Sequence, residues 1–199
     1  MNLRTARISA ILLCLSAWIA PRAIHAQAAP LVVEVRTGAS IPVGDFAGGA
    51  QVGEGVASGP SFGVRLAMSG SGRRTLFGGF SQHRFACEEA GCPVGSDFVA
   101  TGVDAGIQVN LVTRGSIVPW LRFGGLTTRV ESPGLSGSPE GVSSLGWGGE
   151  VGFGVYLGAT SSVALNPGIR MVAVNTELPG GFVMNMRYVV ADLGLALAF

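Results

Sequence analysis

Between Tyr188 and Phe199 the chain alternates without a fault. Val189, Ala191, Leu193, Leu195, Leu197 and Phe199 share one face of an extended strand, and Tyr188, Val190, Asp192, Gly194, Ala196 and Ala198 share the other. Successive side chains of a strand point to opposite sides. The first face is therefore continuously apolar and the second is small or polar, with a single carboxylate. One such strand fits many β folds. A chain that repeats the pattern throughout, always setting an apolar face against a glycine-rich one, has few folds open to it.

The repetition is present. Residues 31–40 set Leu31, Val33, Val35, Thr37 and Ala39 against Val32, Glu34, Arg36, Gly38 and Ser40. Residues 60–69 set Phe62, Val64, Leu66 and Met68 against Gly63, Arg65 and Ala67. The longest clear alternation is 98–112, where Val99 to Leu111 oppose Ala100, Gly102, Asp104, Gly106, Gln108 and Asn110. Residues 117–131 carry Leu121 and Phe123 opposite Arg122 and Gly124, and 144–157 carry Leu145, Trp147, Val151, Phe153, Val155 and Leu157 opposite Gly146, Glu150, Gly152 and Tyr156. In 162–175, Val163, Leu165, Ile169 and Met171 oppose Asn166, Gly168 and Arg170. A strand over 75–86 is read without assigned faces. With 188–199 this makes eight strands of roughly 10–15 residues, against about 9–11 needed to cross a bilayer when tilted.

Composition narrows the choice. Charged residues are 13%, where a soluble domain carries about a quarter, and all 13 basic residues are Arg. The mean hydropathy is +0.48, yet beyond the N-terminus no 18-residue uncharged apolar run offers a spanning helix. High hydropathy, 32 Gly and no such helix are satisfied together by a β-barrel with an apolar outside. Near-neutral charge gives no basis for nucleic-acid binding.

Arg4 and Arg7, the apolar run 8–20 and the small residues after it have the order of a secretory signal peptide. Cleavage fits after Ala26 or after Ala28, with Ala26 preferred, so residues 1–26 read as leader and 27–199 as one β-barrel domain. The mature chain then has ten Arg against 12 acids. Connections alternate in length. Those near 41–58, 87–97, 132–143 and 176–181 are long, and those near 70–74, 113–116 and 158–161 are short. The Gly-rich 47–58 segment lacks the Lys-Ser/Thr and following helix of a phosphate-binding loop.

With the apolar face outward, the inward set includes Glu34, Arg36, Arg65, Asp104, Arg122, Glu150, Arg170 and Asp192. An eight-stranded barrel is just wide enough for side chains to fill it, and buried charges must be paired. These four acids and four Arg are expected to form a salt-bridge network that plugs the interior, with inward Gly leaving room for the long Arg side chains. The competing reading is a proton or ion path along the same charges. Cys87 and Cys92, in Cys-Glu-Glu-Ala-Gly-Cys, are expected to close a small disulfide ring in an oxidising compartment; with no His beside them they make a poor metal site. His83 follows Ser81, but nothing converges on it to build a nucleophile, base and oxyanion site, so it is read as a polar residue near the outer rim. No catalytic residue, metal or cofactor is expected. Phe46, Phe85, Phe98, Trp120, Trp147, Phe182, Tyr188 and Phe199 fall mostly near strand ends, where interfacial girdles belong, with space-filling the alternative for some of them.

The terminal strand ending on Phe199, and a first strand running into Ile41-Pro-Val-Gly-Asp-Phe46, resemble small eight-stranded bacterial outer-membrane barrels of the OmpA/OmpX/OmpW kind. The resemblance spans the mature chain. It implies an all-β, antiparallel up-and-down transmembrane barrel in the outer membrane, with four external loops and both termini periplasmic. It also implies outer-membrane lipid and the barrel-assembly machinery as partners, the latter reading Leu195, Leu197 and Phe199. Leu197 departs from the pattern, because the family often has a second aromatic there. No wall-binding domain follows Phe199, so wall anchoring is not expected. The implied role is structural or interactive in the envelope. A narrow channel for small or hydrophobic solutes, a lipid-modifying enzyme and a secreted β-barrel or sandwich binder are the alternatives.

Overall fold

The computed structural model of the chain describes residues 31–43, 56–70, 73–87, 95–133, 140–159 and 161–199. Ten strands occur in order among them. They are β1 (Leu31–Pro42), β2 (Val56–Ala57), β3 (Gly59–Ser69), β4 (Arg74–Cys87), β5 (Asp97–Asn110), β6 (Ile117–Ser132), β7 (Gly141–Val142), β8 (Gly146–Leu157), β9 (Val163–Leu178) and β10 (Phe182–Ala198). Each long strand pairs antiparallel with the next long strand, and β1 pairs with β10 from Val32↔Ala198 to Pro42↔Tyr188. This pairing closes an eight-stranded up-and-down barrel without edges, so every ladder has a partner. The short β2 and β7 extend the far ends of β4 and β6.

Leu31, Phe199, Gly70, residues 111–116, Gly158 and Ser162 gather at one end, the terminal end. The other is the loop end. Three of the four expected long connections lie largely outside the described residues. The fourth, expected over 176–181, is not a loop. β9 and β10 stay paired to Leu178↔Phe182, and Pro179, Gly180 and Gly181 alone make the turn. The reason is local: Leu178 is 2% exposed on the inner face, so the alternation continues to the proline, and the two glycines supply the positive φ (90° and 81°) of a tight reversal.

Wall packing explains the inward glycines in two ways. A Cβ on Gly38 would stand 2.1 Å from the Ala191 carbonyl oxygen, so the β1–β10 seam can approach only without a side chain there. A Cβ on Gly152 would meet Arg170 Cγ at 2.7 Å, and one on Gly194 would meet Glu34 Oε1 at 3.1 Å. These positions are empty because the charged side chains lie across them.

Candidate functional site

Period two carries Glu34, Arg36, Arg65, Asp104, Arg122, Glu150, Arg170 and Asp192 to the inner face from β1, β3, β5, β6, β8, β9 and β10. Their side chains are 0–4% exposed. They form one unbranched chain of alternating sign. Arg122 faces Glu34 at 3.7 Å, and Glu34 faces Arg36 at 3.5 Å. Arg36 reaches Asp192 at 3.5 Å, and Arg170 joins Asp192 and Glu150 at 2.8 Å each. Glu150 then meets Arg65 at 3.0 Å, and Arg65 ends the chain on Asp104. Each inner member touches two opposite charges, which offsets the cost of removing ions from water. Neutral groups anchor the Arg122 end: its Nη2 donates to Gln108 Oε1 (2.6 Å), and Tyr156 Oη donates to Glu34 Oε2 (3.4 Å). Phe77 packs under Arg65 and Arg122, whose guanidinium carbons lie 4.2 and 5.0 Å from its ring centre.

The pairing is incomplete. Glu34 Oε1, Arg36 Nε and Nη2, Arg65 Nε and Nη1, Asp104 Oδ1 and Arg122 Nε are buried and make no hydrogen bond to protein.

Below the charges, towards the terminal end, the interior is small and polar. A cavity of about 140 Å³ there is lined by Ala67, Ala196, Gln108 and Tyr156 and reaches the turn residues Ser161 and Ser162. Trp120 Nε1 donates to Asn166 Oδ1 at 2.7 Å, and the indole lies against the wall at Gly154 and Gly168.

Above the charges, Ser40 Oγ meets His83 Nδ1 at 2.8 Å. His83 is 4% exposed and points inward, so it is not the rim residue that the sequence led one to expect. It lies under the rings of Tyr188 and Phe85; their centres are 5.1 Å apart, as are those of Tyr188 and His83. From there to the loop end the described interior is mainly apolar, with the hydroxyls of Thr128, Ser132, Ser143 and Thr176 among it. Phe85, Phe98, Val130, Met184, Met186, Tyr188 and Val190 are each 0–1% exposed, and Val172, Val174 and Leu178 are 2% exposed.

This layer corrects the girdle expectation. Phe85, Phe98, Trp120 and Tyr188 are interior residues, because they share the parity of the inward His83, Asp104, Arg122 and Asp192 on their own strands. Trp147 (67%) and Phe199 (77%) do face outward; Phe46 and the Phe182 side chain lie outside the described residues. Asn166 lies inside with Arg170, as their shared parity implies, whereas Phe77 and Trp120 are interior members that the strand reading left out, although counting by twos from Thr75 and Arg122 places both inside.

The outer surface changes at the same height. Phe62, Leu66, Phe80, Val103, Ile107, Phe123, Val151, Ile169 and Leu193 stand exposed around the lower barrel. Nearer the loop end the outward positions become Gln82, Arg84, Asp97, Thr101, Arg129, Glu131, Asn175, Glu177, Asn185 and Arg187. Trp147 marks the transition, paired between Thr127 and Asn175. The lower barrel is thus apolar outside and polar inside, and the upper barrel is the reverse. Cys87 ends β4 inside the upper layer, 3% exposed, while Cys92 lies outside the described residues. Leu195 faces outward and Leu197 is half-buried at the terminal end.

No protein-family model matches the chain, and no curated protein matches it. Solved structures do. The outer membrane protein OprG of Pseudomonas aeruginosa superposes with a TM-score of 0.61 at 12% identity, covering 86% of this chain and 96% of that one. Neisserial surface protein A gives 0.56 at 18% identity, covering 85% and 97%. The N-terminal β-barrel domain of Pseudomonas aeruginosa OprF gives 0.51 at 12% identity, covering 84% and 97%. With a closed antiparallel barrel of eight long strands and a charge-paired interior, this chain has the fold of the small eight-stranded outer-membrane barrels.

Proposed function

We propose that the protein is an integral outer-membrane barrel, closed to bulk passage, that holds its loop end above the membrane for structural or interaction roles. One observation carries this reading: a belt of exposed Phe, Leu, Ile, Val and Met encircles the lower barrel. Each such side chain left in water forgoes about 2 kcal/mol, so only a hydrocarbon surrounding makes the belt tolerable. The fold shared with OprG and Neisserial surface protein A supports the outer membrane as that surrounding. Outer-membrane lipid is then the belt's partner, and Trp147 sits at its upper boundary. The terminal end faces the periplasm, as short turns do in such barrels.

The same reading assigns residues 1–26 to a cleaved leader, Cys87 and Cys92 to a disulfide in the first segment after β4, and Leu195, Leu197 and Phe199 to recognition by the assembly machinery. One preparation tests most of it. The protein purified from outer membranes should migrate faster unheated than boiled, begin at Gln27, and take up no alkylating agent at cysteine before reduction. Recovery in the soluble periplasm without a heat-dependent shift would defeat the membrane assignment. A free thiol would defeat the disulfide alone.

A further inference from the structure

We propose that the interior is one-sided: water and small ions reach the charge chain from the terminal end, and the apolar layer under the loop end is what stops them. The inference rests on the membrane reading above.

Three observations converge on it. First, seven buried polar atoms of Glu34, Arg36, Arg65, Asp104 and Arg122 make no hydrogen bond to protein, although two of them, Glu34 Oε1 and Arg36 Nε, face each other at 3.5 Å. An unmet buried polar atom costs about 1–3 kcal/mol, more if charged, so a dry plug with seven of them is unfavourable. Second, the 140 Å³ cavity under Gln108 and Tyr156 ends at the groups that hold Glu34 and Arg122, and its lining reaches the exposed turn residues Ser161 and Ser162. At about 30 Å³ each, four or five waters fit, with Ser, Gln, Asn and Tyr groups to bind them. Third, the few buried hydroxyls above His83 are uncharged and turned to the backbone, Thr176 Oγ1 donating to the Ser144 carbonyl and Ser143 Oγ accepting from the Val130 N–H. Met184, Met186 and Tyr188 alone extend this layer over roughly 13 Å of strand, at about 3.3 Å per residue. An apolar constriction excludes water and ions by dewetting, whereas a hydrated charge lining admits them. The charge chain is therefore a wet dead end rather than the seal.

The test uses vesicles holding the full mature protein, with orientation scored by cleavage at a protease site inserted between Gly180 and Gly181. Ala67→Cys places a thiol in the cavity, and Ala100→Cys places one in the apolar layer. A small, membrane-impermeant cationic thiosulfonate is added to one side, and wild-type labelling is subtracted. Ala67→Cys should react at least tenfold faster from the terminal side than from the loop side, and Ala100→Cys should stay unreactive from both. Adding Phe85→Ser and Phe98→Ser to Ala67→Cys should abolish the sidedness while heat-dependent migration persists. If Ala67→Cys is protected from both sides, the charge chain is a dry plug and the proposal fails. If it reacts equally from both sides behind an intact apolar layer, that layer is not the seal and the proposal fails. If the protein does not enter vesicles, the membrane reading fails first.

Discussion

Arg65 and Arg122 are both buried guanidinium groups beside Phe77, but they differ in what they would leave behind. Asp104 meets no cation but Arg65 among the described residues, whereas Glu34, which faces Arg122, keeps Arg36 at 3.5 Å. Stripping a buried charge of its only partner costs about 3–5 kcal/mol. Arg65→Ala should therefore lower unfolding free energy in lipid by about that much, and Arg122→Ala by less. Adding Asp104→Asn to Arg65→Ala should restore part of the loss, because the stranded charge goes with it. Urea titration followed by tryptophan emission reads all three. An Arg122→Ala cost above that of Arg65→Ala would contradict the ordering. Counting by twos placed all eight charges on the inner face, since at the height of the exposed apolar belt a charge has only one tolerable side. The order of pairing was not readable, because it depends on how seven strands stagger around a closed wall. Trp120 escaped notice for another reason: an aromatic is acceptable on either face, so its parity carries no warning.

Along a single strand the environment reverses. β9 presents Leu165, Ile169 and Met171 outward and then Asn175 and Glu177; inward it presents Asn166 and Arg170 and then Val172, Val174 and Leu178. The same substitution at two points on one outward face should separate lipid from water. Ile169→Arg should cost about 2–4 kcal/mol and Asn175→Arg about 0–1, as expected near the midplane and beyond the interface. Equal costs would mean that the boundary near Trp147 is misplaced. This reversal also accounts for what the sequence obscured. β4 crosses the boundary within fourteen residues, so Phe77 and Phe85 lie inside while Leu76 and Phe80 lie outside, and no single face reads as apolar. The hairpin at Pro179–Gly181 was hidden in the same way. Thr-Glu-Leu-Pro-Gly-Gly has a loop's composition, and only the inward burial of Thr176 and Leu178 reveals a strand.

For the molecule as a whole, seven alternating segments and an eighth without assigned faces were enough to predict closure, because an open sheet of such strands would leave two bare edges. The division of the interior into polar, charged and apolar layers was not legible, since it exists only once eight strands align. Phe199 belongs to this scale. Its side chain is 77% exposed and its backbone N–H donates to the Leu31 carbonyl at 2.9 Å, a bond that any residue could make. Phe199→Ala should leave the refolded barrel within about 0.5 kcal/mol of the original, yet reduce the amount assembled in cells. A large loss of stability in vitro would make Phe199 a packing residue instead of a signal.

The β1–β10 seam also sets an order in time. Arg36 and Asp192 stand 156 positions apart, so the first strand stays without its final neighbour until the last residues have been made. Contacts this distant are closed late and slowly, at a high entropic cost. Until then Arg36 lacks Asp192, Val35 and Thr37 have no neighbour on that side, and one ladder of β1 remains open. The unfinished chain is thus adhesive along one side until β10 docks, and completing the seam removes that hazard at the same step that completes the charge chain.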